Sequence, residues 1–257
     1  MARSQGAPAS LLVQESAGAL GAFWDEPAGL VAACRRIIDR QLTCGPLWWL
    51  CARLLCSPEP RTEARAAVTE LTEDPTFLRL AAALPEDSTV VVVGWPEQAM
   101  GAFSRRGDVE VLVVDADGDA YSAVRRLEGV DVEAFEVAAR NLGTAVAMAD
   151  LVILDANAVG PTEALVASGS RAAAAVARTG GIPVWLVAGV GRMLPQRMWD
   201  PMVTRWSASV EPLDSTEEIV PLDLVDRIAG VDGVVSVADG LRRTDCPIAP
   251  ELFRLVG

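Results

Sequence analysis

Two polar residues, Asp155 and Asn157, directly follow the apolar run 151–154, and they are the groups in this chain best placed to do chemistry. A carboxylate can exchange a proton with a substrate, whereas an amide can hydrogen-bond a hydroxyl but cannot act as an acid or base. The apolar run has the length of a strand buried on both faces. Ligands of parallel sheets bind at the carboxyl ends of the strands, so we predict that Asp155 and Asn157 face a binding site, with Asp155 and Asn157 as the catalytic candidates.

A second polar group, Asp115-Ala-Asp117-Gly-Asp119, places three carboxylates within five residues after another predicted strand. Such spacing suits a hard cation such as calcium or magnesium. The remaining oxygen ligands and the closing glutamate of a calcium loop do not follow at the required offsets, so we predict no metal site. The segment is then either a solvated turn or the negative wall of a pocket.

Gly94 follows a predicted strand, and Asp115 ends the next strand 21 residues later, which is a spacing typical of dinucleotide folds. The glycine-rich turn is missing, because the chain continues Trp95-Pro-Glu-Gln-Ala. Without that turn a pyrophosphate has no close backbone cradle. We therefore predict no nicotinamide cofactor, and no other cofactor, while keeping Gly94, Trp95, Asp115 and Asp117 as candidate ligand-binding residues.

Two absences exclude whole classes of mechanism. All 22 basic residues are arginine, and the chain contains neither lysine nor histidine. A lysine Schiff base, a P-loop lysine, a Ser-His-Asp triad and an imidazole base are therefore excluded. Proton transfer, if any occurs, must use carboxylates, thiols, Tyr121 or water. The five cysteines include no C-x-x-C pair, which favours reduced thiols over a zinc site.

The charge of the chain limits its partners. The net charge is −13, with −1 on residues 1–85 and −12 on residues 86–257. Non-specific binding to nucleic acid depends on neutralising phosphates, so we predict no nucleic-acid partner. No apolar run reaches the roughly 18 residues of a membrane span, and the start of the sequence lacks a signal pattern. We therefore expect a cytoplasmic protein with no membrane partner.

Hydrophobic periodicity predicts a helical N-terminal domain over residues 1–85. Helices are predicted at 28–42, 46–56, 61–72 and 76–84, separated by segments that contain proline. The apolar residues Trp48, Trp49, Leu50 and Leu54 are interpreted as packing residues rather than as a ligand box, because apolar clusters at helical spacing usually form core.

From residue 86 to 257 strands and helices alternate, which predicts a second, α/β domain. Strands are predicted at 90–94, 109–114, 130–137, 151–154 and 184–188. Helices are predicted at 97–106, 119–127, 138–148, 162–178 and 222–229. Strand–helix–strand units imply right-handed crossovers and a parallel sheet. The predicted fold class is therefore α/β, with a Rossmann-like doubly wound parallel sheet of about five strands preceded by the helical domain.

Six segments of the α/β part form a recognisable series along the chain. They are Asp-Leu-Val-Ile-Leu-Asp-Ala-Asn at 150–157, Gly169-Ser170, Gly-Ile-Pro-Val at 181–184, Gly-Arg-Met-Leu-Pro at 191–195, Val-Pro-Leu-Asp-Leu-Val at 220–225 and Gly-Val-Val-Ser at 233–236. In this order they resemble the translation initiation factor 2B α/β/δ subunit family, which includes methylthioribose-1-phosphate isomerase and ribose-1,5-bisphosphate isomerase. The resemblance covers most of residues 88–253, whereas residues 1–85 match only in being helical.

The catalytic pattern of the isomerases is not reproduced at the matching positions. The resemblance places their catalytic cysteine in the loop that begins at Gly94, which has no cysteine, and their catalytic aspartate at Asn157. Their substrate-binding Asn-Lys pair falls on 166–167, which is Val-Ala, and their arginine falls on Asp117. Gly169-Ser170 remains as a possible backbone and hydroxyl contact, and both are ligand-binding candidates.

These losses favour a protein with an initiation-factor-2B-like fold that has become a non-isomerase, binding a small molecule in a strand-end pocket or serving as a regulatory or assembly subunit. The alternative is an aldose-ketose isomerase-like enzyme on a sugar-phosphate-like substrate, with relocated roles for Asp155, Asp115 or a cysteine. A third hypothesis is a purely structural subunit of a hetero-oligomer.

Two further expectations concern surfaces. The apolar residues of 193–206 form a cluster too large to leave exposed, which predicts a homodimer, or a hetero-oligomer with a related subunit, through this region and the C-terminal tail. Its members are Met193, Leu194, Met198, Trp199, Met202 and Trp206. A negative pocket is predicted from the acids Asp115, Asp117, Asp119 and Asp155. Such a pocket would prefer a cationic or neutral polyhydroxyl ligand, or a divalent metal, over a sugar bisphosphate. In the alternative, these acids face solvent and the Trp95 side chain closes the pocket.

Overall fold

A computed structural model describes residues 8–253. Its first part is helical, and three of its helices have a proline in the first turn, where the missing N–H has no intrahelical partner to lose. The predicted helices at 28–42, 46–56, 61–72 and 76–84 are confirmed within one or two residues at each end. The five helices are α1 (Ala9–Leu20), α2 (Pro27–Arg40), α3 (Gly45–Cys56), α4 (Pro60–Thr72) and α5 (Thr76–Ala83).

A nine-stranded sheet forms the centre of the second part. The strands are β1 (Thr89–Val93), β2 (Glu110–Asp115), β3 (Ala134–Ala138), β4 (Leu151–Val159), β5 (Glu163–Ala167), β6 (Val184–Val187), β7 (Glu217–Pro221), β8 (Arg227–Gly230) and β9 (Gly233–Ser236). The helices are α6 (Glu97–Phe103), α7 (Ala120–Glu128), α8 (Leu142–Met148), α9 (Ser170–Gly180), α10 (Gln196–Ser209) and α11 (Val237–Leu241).

The strand order β3-β2-β1-β4-β6-β8-β9 confirms the predicted doubly wound sheet. Six neighbouring strands along this path are parallel, from β3 to β8, and β9 is antiparallel to β8. Outside the path, β5 pairs antiparallel with both β4 and β7. The chain reverses its direction of winding between β1 and β4, which lie side by side. In open α/β sheets this switch point is where ligands bind, beyond the carboxyl ends of the strands.

Alternate residues of the valine-rich strand β1 pack into two different hydrophobic cores, one on each face of the sheet. Val90 and Val92 pack with α5, α6 and α7, whereas Val91 and Val93 pack with α8 and α9. Successive side chains of a strand point to opposite faces, so a continuous apolar run can serve both layers of helices. Both faces of the central sheet are covered by helices in this way. The polar groups of the central strands that a ligand can reach therefore lie at the strand ends.

The predicted helix over 162–178 is wrong in its first half. Residues Glu163–Ala167 form β5, which pairs antiparallel with β4 and β7, and α9 begins only at Ser170. Strand pairing overrides the helical preference of this alanine- and leucine-containing segment. Gly169 separates the two elements with a φ of +94°, a conformation that other residues rarely adopt. As a result Asp155 and Asn157 lie within the long strand β4 rather than after it.

Three other predicted boundaries are corrected. The helix over 222–229 is a short 3-10 turn, Leu222–Leu224, followed by β8, which supplies the sixth parallel strand by pairing with β6. The strand predicted at 130–137 begins only at Ala134, and the helix predicted at 138–148 begins only at Leu142 after a 3-10 turn. For the two strands, pairing with a neighbour, which local composition does not reveal, decides where the element starts.

The apolar cluster at 193–206 is buried inside this chain, which removes the exposed surface on which the dimer prediction rested. Its six side chains are between 0% and 9% exposed. Five of them share a core with helices α1 to α4, including Trp48 and Trp49, which are fully buried as packing residues, whereas Met193 packs with the sheet. The helical part therefore covers this cluster. Within residues 8–253, none of the helices is long and apolar enough to cross a membrane.

Candidate functional site

A cleft of about 230 Å³ opens at the switch point between β1 and β4, and we call it the strand-end cleft. The predicted residues Gly94, Trp95, Asp117, Asp155 and Asn157 line it together. Its other lining residues are Pro8, Val93, Glu97, Ala116, Asp119, Ala167, Arg192, Thr216 and Glu217. The predicted residues Asp115, Gly169 and Ser170 do not line the cleft. Seven separated segments of the sequence thus meet at one edge of the sheet.

The loop after β1 shapes one wall of the cleft. Gly94 has a φ of +64°, and its amide donates to the Val114 carbonyl oxygen over 3.0 Å, so the chain turns sharply as it leaves β1. Trp95 follows, half-buried, with the Arg126 guanidinium 5.8 Å from its ring centroid. The indole lines the cleft and leaves it open.

Asp155 joins β4 to the beginning of α6. Its Oδ2 accepts from the backbone N–H groups of Gln98 at 2.6 Å and Ala99 at 3.2 Å, and its Oδ1 accepts from Gln98 Nε2 at 3.0 Å. Burial raises the pKa of Asp155, while nearby Arg192 acts in the opposite direction. Because three N–H donors already hold this carboxylate, its first role is to fix α6 against β4.

Asn157 stands two residues further along β4 and is half-buried at the cleft. Its side-chain amide forms no hydrogen bond to any residue of 8–253. Behind it, α3 begins so close that a Cβ on Gly45 would lie 2.7 Å from the Asn157 carbonyl oxygen. The backbone here is fixed by packing, and the free amide can both donate to and accept from a ligand.

Among residues 8–253, Arg192 is the single basic residue of the cleft lining, and its guanidinium is already engaged. It is 6% exposed, its Nη1 donates to the Ala156 carbonyl oxygen at 2.5 Å, and its Nη2 lies 3.4 Å from Glu97 Oε2. The other oxygen of Glu97 accepts from the Ala9 amide at 3.0 Å. An arginine held by a carbonyl and a carboxylate has fewer donors left for a phosphate.

The helical part reaches the cleft through Thr43. The Thr43 hydroxyl donates to Glu217 Oε1 and the Thr216 hydroxyl to Glu217 Oε2, both over 3.1 Å. The next residue, Glu218, accepts from the Arg171 amide at 2.9 Å. A carboxylate of β7 therefore occupies the amino end of α9, which is the position that a phosphate would take in the binding mode considered for Gly169-Ser170.

The three aspartates after β2 have different surroundings. Asp115 Oδ1 accepts from the Gly118 amide at 2.8 Å and closes its own turn, whereas Asp117 and Asp119 are exposed at the cleft. Among the described residues, no group of three or more acidic, cysteine or histidine side chains is placed to hold a metal ion. The segment is both a solvated turn, through Asp115, and a negative wall, through Asp117 and Asp119.

The charge balance of the cleft is negative. Glu97, Asp117, Asp119, Asp155 and Glu217 line it against one cation, Arg192. A phosphate dianion would approach like charges in a partly desolvated space, which is unfavourable. Hydroxyls and ammonium groups, in contrast, can donate to the carboxylates.

The cysteine nearest to this site is not poised as a nucleophile. Burial raises the pKa of Cys44 to about 11, with Arg192 acting in the opposite direction and Glu97 acting to raise it. Burial also raises the pKa of Cys56 and Cys246. A thiol is nucleophilic as its thiolate, so these groups remain mostly unreactive at neutral pH.

Sequence reasoning missed Glu97, Arg192, Thr216 and Glu217. Arg192 could have been predicted from the sequence, since it is the basic residue of Gly-Arg-Met-Leu-Pro at 191–195, one of the segments that carry the family resemblance. Glu97 is the first residue of α6, two residues after Trp95. Thr216 and Glu217 come from the start of β7, which reaches the cleft through its pairing with β5.

The fold and the cleft define an α/β protein with a doubly wound parallel sheet, a helical part packed over its strand ends, and an acidic cleft at the switch point. This is the fold of the eIF2B subunits. The chain matches the Pyrococcus horikoshii OT3 translation initiation factor eIF-2B with a TM-score of 0.76 and 12% identity, over 91% of this chain and 93% of that chain.

Two fungal structures agree. The eIF2B beta subunit of Chaetomium thermophilum matches with a TM-score of 0.72 and 16% identity, over 99% of this chain and 91% of that chain. A chain of the tetrameric eIF2B-beta2-delta2 complex of C. thermophilum matches with a TM-score of 0.71 and 18% identity, over 91% and 88%. At these identities the likeness establishes the fold. No protein-family model and no curated protein matches the sequence.

Proposed function

We propose that this chain is a non-isomerising, ligand-binding protein with an eIF2B-like fold that serves as a regulatory or assembly subunit. The observation that carries the proposal is the free side-chain amide of Asn157, which stands in the strand-end cleft where the resemblance to the isomerases places an acid/base aspartate. An amide offers hydrogen bonds without proton transfer, which suits binding and not isomerisation.

The lining of the cleft supports a particular class of ligand. Its acids outnumber its one cation, and that cation is bound to Glu97 and to a backbone carbonyl. A neutral polyhydroxyl compound or a small amine can donate hydrogen bonds to the carboxylates of Asp117 and Glu217. The side-chain amide of Asn157 can form a further hydrogen bond with such a ligand. A sugar bisphosphate would meet repulsion instead.

The first experiment compares ligands and turnover in the same preparation. We expect no conversion of ribose-1,5-bisphosphate or methylthioribose-1-phosphate, because loss of one positioned proton-transfer group typically costs about 10²–10⁴-fold and here several are absent. In calorimetry at low salt, the double variant Asp117→Asn, Asp119→Asn should bind ribose-1,5-bisphosphate about tenfold more tightly than the wild type does, since two repulsive charges are gone.

The control for this experiment is Asp25→Asn, which removes an exposed acid that does not line the cleft and should change bisphosphate affinity by less than about twofold. Micromolar binding of the bisphosphate by the wild type, unchanged in the double variant, would contradict the acidic-cleft proposal. Turnover that Asn157→Ala abolishes would show that the chemistry has been misplaced.

An enzyme with relocated catalytic groups is the second candidate, and the raised pKa of Asp155 favours it. A carboxylic acid that holds its proton to higher pH than usual can act as a general acid in a cleft. Its three N–H donors argue for a structural role instead. Turnover of a sugar phosphate that is abolished in Asp155→Asn, in a variant that remains folded, would favour this candidate over a binding protein.

Association with a second chain is the other part of the proposal. One of the matching structures is a tetramer of two kinds of eIF2B subunit, which supports assembly of this chain with itself or with a related subunit. Because the apolar cluster of α10 is internal, the interface must lie elsewhere. We expect light scattering at micromolar concentration to give at least twice the 27.1 kDa of one chain. A monomer in light scattering would exclude self-association and leave a hetero-oligomer as the remaining form of assembly. If no related subunit then copurifies with the chain, assembly as a whole is contradicted.

A further inference from the structure

A second pocket, of about 380 Å³, lies at the carboxyl ends of β6 and β8, and we call it the hairpin pocket. These two strands are parallel neighbours, so they end side by side, and the chain then turns back tightly from β8 into β9. The end of α4 contributes another side through Glu70 and Glu73. The volume is within the range of small-molecule sites, which is roughly 300–1,000 Å³.

The hairpin pocket is separate from the strand-end cleft. The two spaces share no lining residue. The segment after β6 forms part of the partition, since Gly191 and Met193 line the hairpin pocket, whereas Arg192 between them lines the cleft. The amide of Val190 donates to Asp74 Oδ2 at 2.8 Å, which fixes this segment against the connection between α4 and α5. A ligand in one space therefore does not occupy the other.

The apolar lining of the hairpin pocket includes side chains that no core covers. Val231 in the β8–β9 turn and Val235 in β9 are both half-buried. Among residues 8–253, neither side chain packs into one of the three hydrophobic cores, and both line the pocket. Covering such surface with the apolar body of a ligand is favourable, because it removes that surface from water.

The charges of the lining are only half compensated. Four acids and one base line the hairpin pocket, namely Glu70, Glu73, Asp232, Asp245 and Arg243. Arg53 donates to both oxygens of Glu70, at 2.6 and 2.9 Å, and Arg243 forms an ion pair with Asp232. The other two acids have no ion-pair partner within residues 8–253. The lining therefore has a net negative charge beside an apolar space.

The two uncompensated acids, Glu73 and Asp245, keep oxygen atoms free for a ligand. The Glu73 side chain forms no hydrogen bond or ion pair with any residue of 8–253. Asp245 Oδ2 accepts from Trp49 Nε1 over 3.3 Å, which is a long hydrogen bond. Both acids are exposed, so a ligand in the pocket can reach their carboxylates.

Glu73 also stands at the end of α4 where a cation is most favourable. The helix ends at Thr72 with Glu73 as its C-cap, and its last turn contains no basic residue. The carboxyl end of a helix carries about half a negative charge, so an acid there is unfavourable until a cation approaches it. In the part of the chain that the structure describes, no group of three or more acids is placed to hold a metal ion. An organic cation fits these charges.

We propose that the hairpin pocket binds a small primary amine with an apolar body, and that its ammonium group lies between Glu73 and Asp245. The apolar body packs against Val231 and Val235. The three N–H groups of the ammonium donate to carboxylate oxygens that have few or no donors of their own. The site does not depend on the function proposed for the strand-end cleft.

The probe is 2-phenylethylamine, and the matched control compound is 2-phenylethanol, which has nearly the same shape and no charge. A saturation-transfer NMR titration of the full chain at low salt should give a Kd of about 1 mM or below for the amine. The alcohol should bind at least about tenfold more weakly. Added salt should weaken the binding of the amine and not that of the alcohol, because salt screens exposed charges.

The double variant Glu73→Gln, Asp245→Asn should bind the amine about tenfold more weakly than the wild type does. Its thermal midpoint should not fall, because glutamine removes an acid from the carboxyl end of α4 and asparagine keeps an acceptor oxygen for Trp49. The matched control is Glu133→Gln, an exposed acid before β3 at the opposite edge of the sheet, which should change the affinity by less than about twofold.

Val235→Phe tests whether the amine enters the pocket or only approaches its charged rim. The larger side chain takes up part of the apolar space from the edge strand β9, so the amine affinity should fall about tenfold or more in a variant that keeps its thermal midpoint. Unchanged affinity would place the amine outside the pocket and overturn the proposal.

The remaining outcomes separate this site from the strand-end cleft. If Asp117→Asn, Asp119→Asn abolishes amine binding and Glu73→Gln, Asp245→Asn does not, the amine binds in the cleft and the proposal is overturned. It is equally overturned if the amine does not bind, if the alcohol binds as tightly, or if Glu133→Gln weakens binding as much as the double variant of the pocket. Binding weakened by the pocket variants alone supports it.

Discussion

Replacement of Asp155 by alanine should lower the free energy of unfolding by about 3 kcal/mol, the value expected when a charged acceptor is taken from several N–H donors. The carboxylate accepts from the backbone of Gln98 and Ala99 and from the Gln98 side chain. Ala99 is fully buried, so its amide would lose its partner without gaining water. Urea denaturation of the variant and the wild type measures the difference directly.

The control is Asp117→Ala, at the opposite wall of the same cleft. Asp117 is exposed and forms no hydrogen bond to the described residues, so its loss should change stability by less than about 0.5 kcal/mol. If both variants lose the same stability, the effect belongs to the charge of the cleft and not to the anchoring of α6. If neither variant loses stability, the Asp155 carboxylate does not anchor α6, and a role as a general acid becomes the better-supported hypothesis.

The pH dependence of the Asp155 contribution follows from the direction of its pKa. Because burial raises that pKa, the folded chain holds the proton more tightly than the unfolded chain does. The stabilisation from this linkage is complete below the usual pKa of an aspartate, about 4, and is lost as the pH rises through the folded-state value. Hydrogen bonds to the carboxylate itself are a separate contribution and persist at neutral pH.

The sequence is sufficient to predict the layers of this fold but not its long-range pairing. The valine run of β1 and the apolar run at the start of β4 predict buried parallel strands, because few other arrangements bury such runs. The N-terminal helices are equally clear, since prolines mark three of their beginnings. In contrast, Glu163–Ala167 has the composition of a helix and forms a strand, because β4 and β7 offer it hydrogen-bonding partners on both sides.

The same limit decides which site residues were predictable. Gly94, Trp95, Asp117, Asp155 and Asn157 follow or belong to strands that the sequence identifies, and the sheet topology brings them together. Glu217 belongs to β7, whose place depends on the unpredicted strand β5. Asp115 was expected to face the ligand, but its carboxylate is used by its own turn. Spacing shows that a polar group follows a strand, whereas hydrogen bonds decide whether it is free to act.

The position of the helical part also needed the structure. Asp74 in the connection between α4 and α5 accepts from Val190 beyond β6, and Thr43 before α3 donates to Glu217. Both contacts are at the carboxyl edge of the sheet, so the helices enclose the edge at which we propose that a ligand binds. A ligand in the strand-end cleft would contact both parts of the chain, since Pro8 lines it together with the strand ends. Periodicity alone could not assign this position to the N-terminal part.

Gly160→Ala is the other substitution with a large expected effect, a loss of about 3 kcal/mol, which is at the upper end of the roughly 1–3 kcal/mol that overpacking of an interior site typically costs. Gly160 lies between β4 and β5, where a Cβ would overlap the indole of Trp199, with 2.6 Å to Cε2. Trp199 is 3% exposed and shares its core with the N-terminal helices, so the ring has no free space to move into.

Gly143→Ala is the matched control: Gly143 lies in α8 with no atom within 4 Å of the new Cβ, and alanine there should stabilise the chain by about 0.5 kcal/mol. Opposite signs for the two alanines in one urea series would place the α10 cluster inside the folded chain. Equal and small effects would mean that Trp199 moves freely, and the cluster would again be available as an interface between subunits.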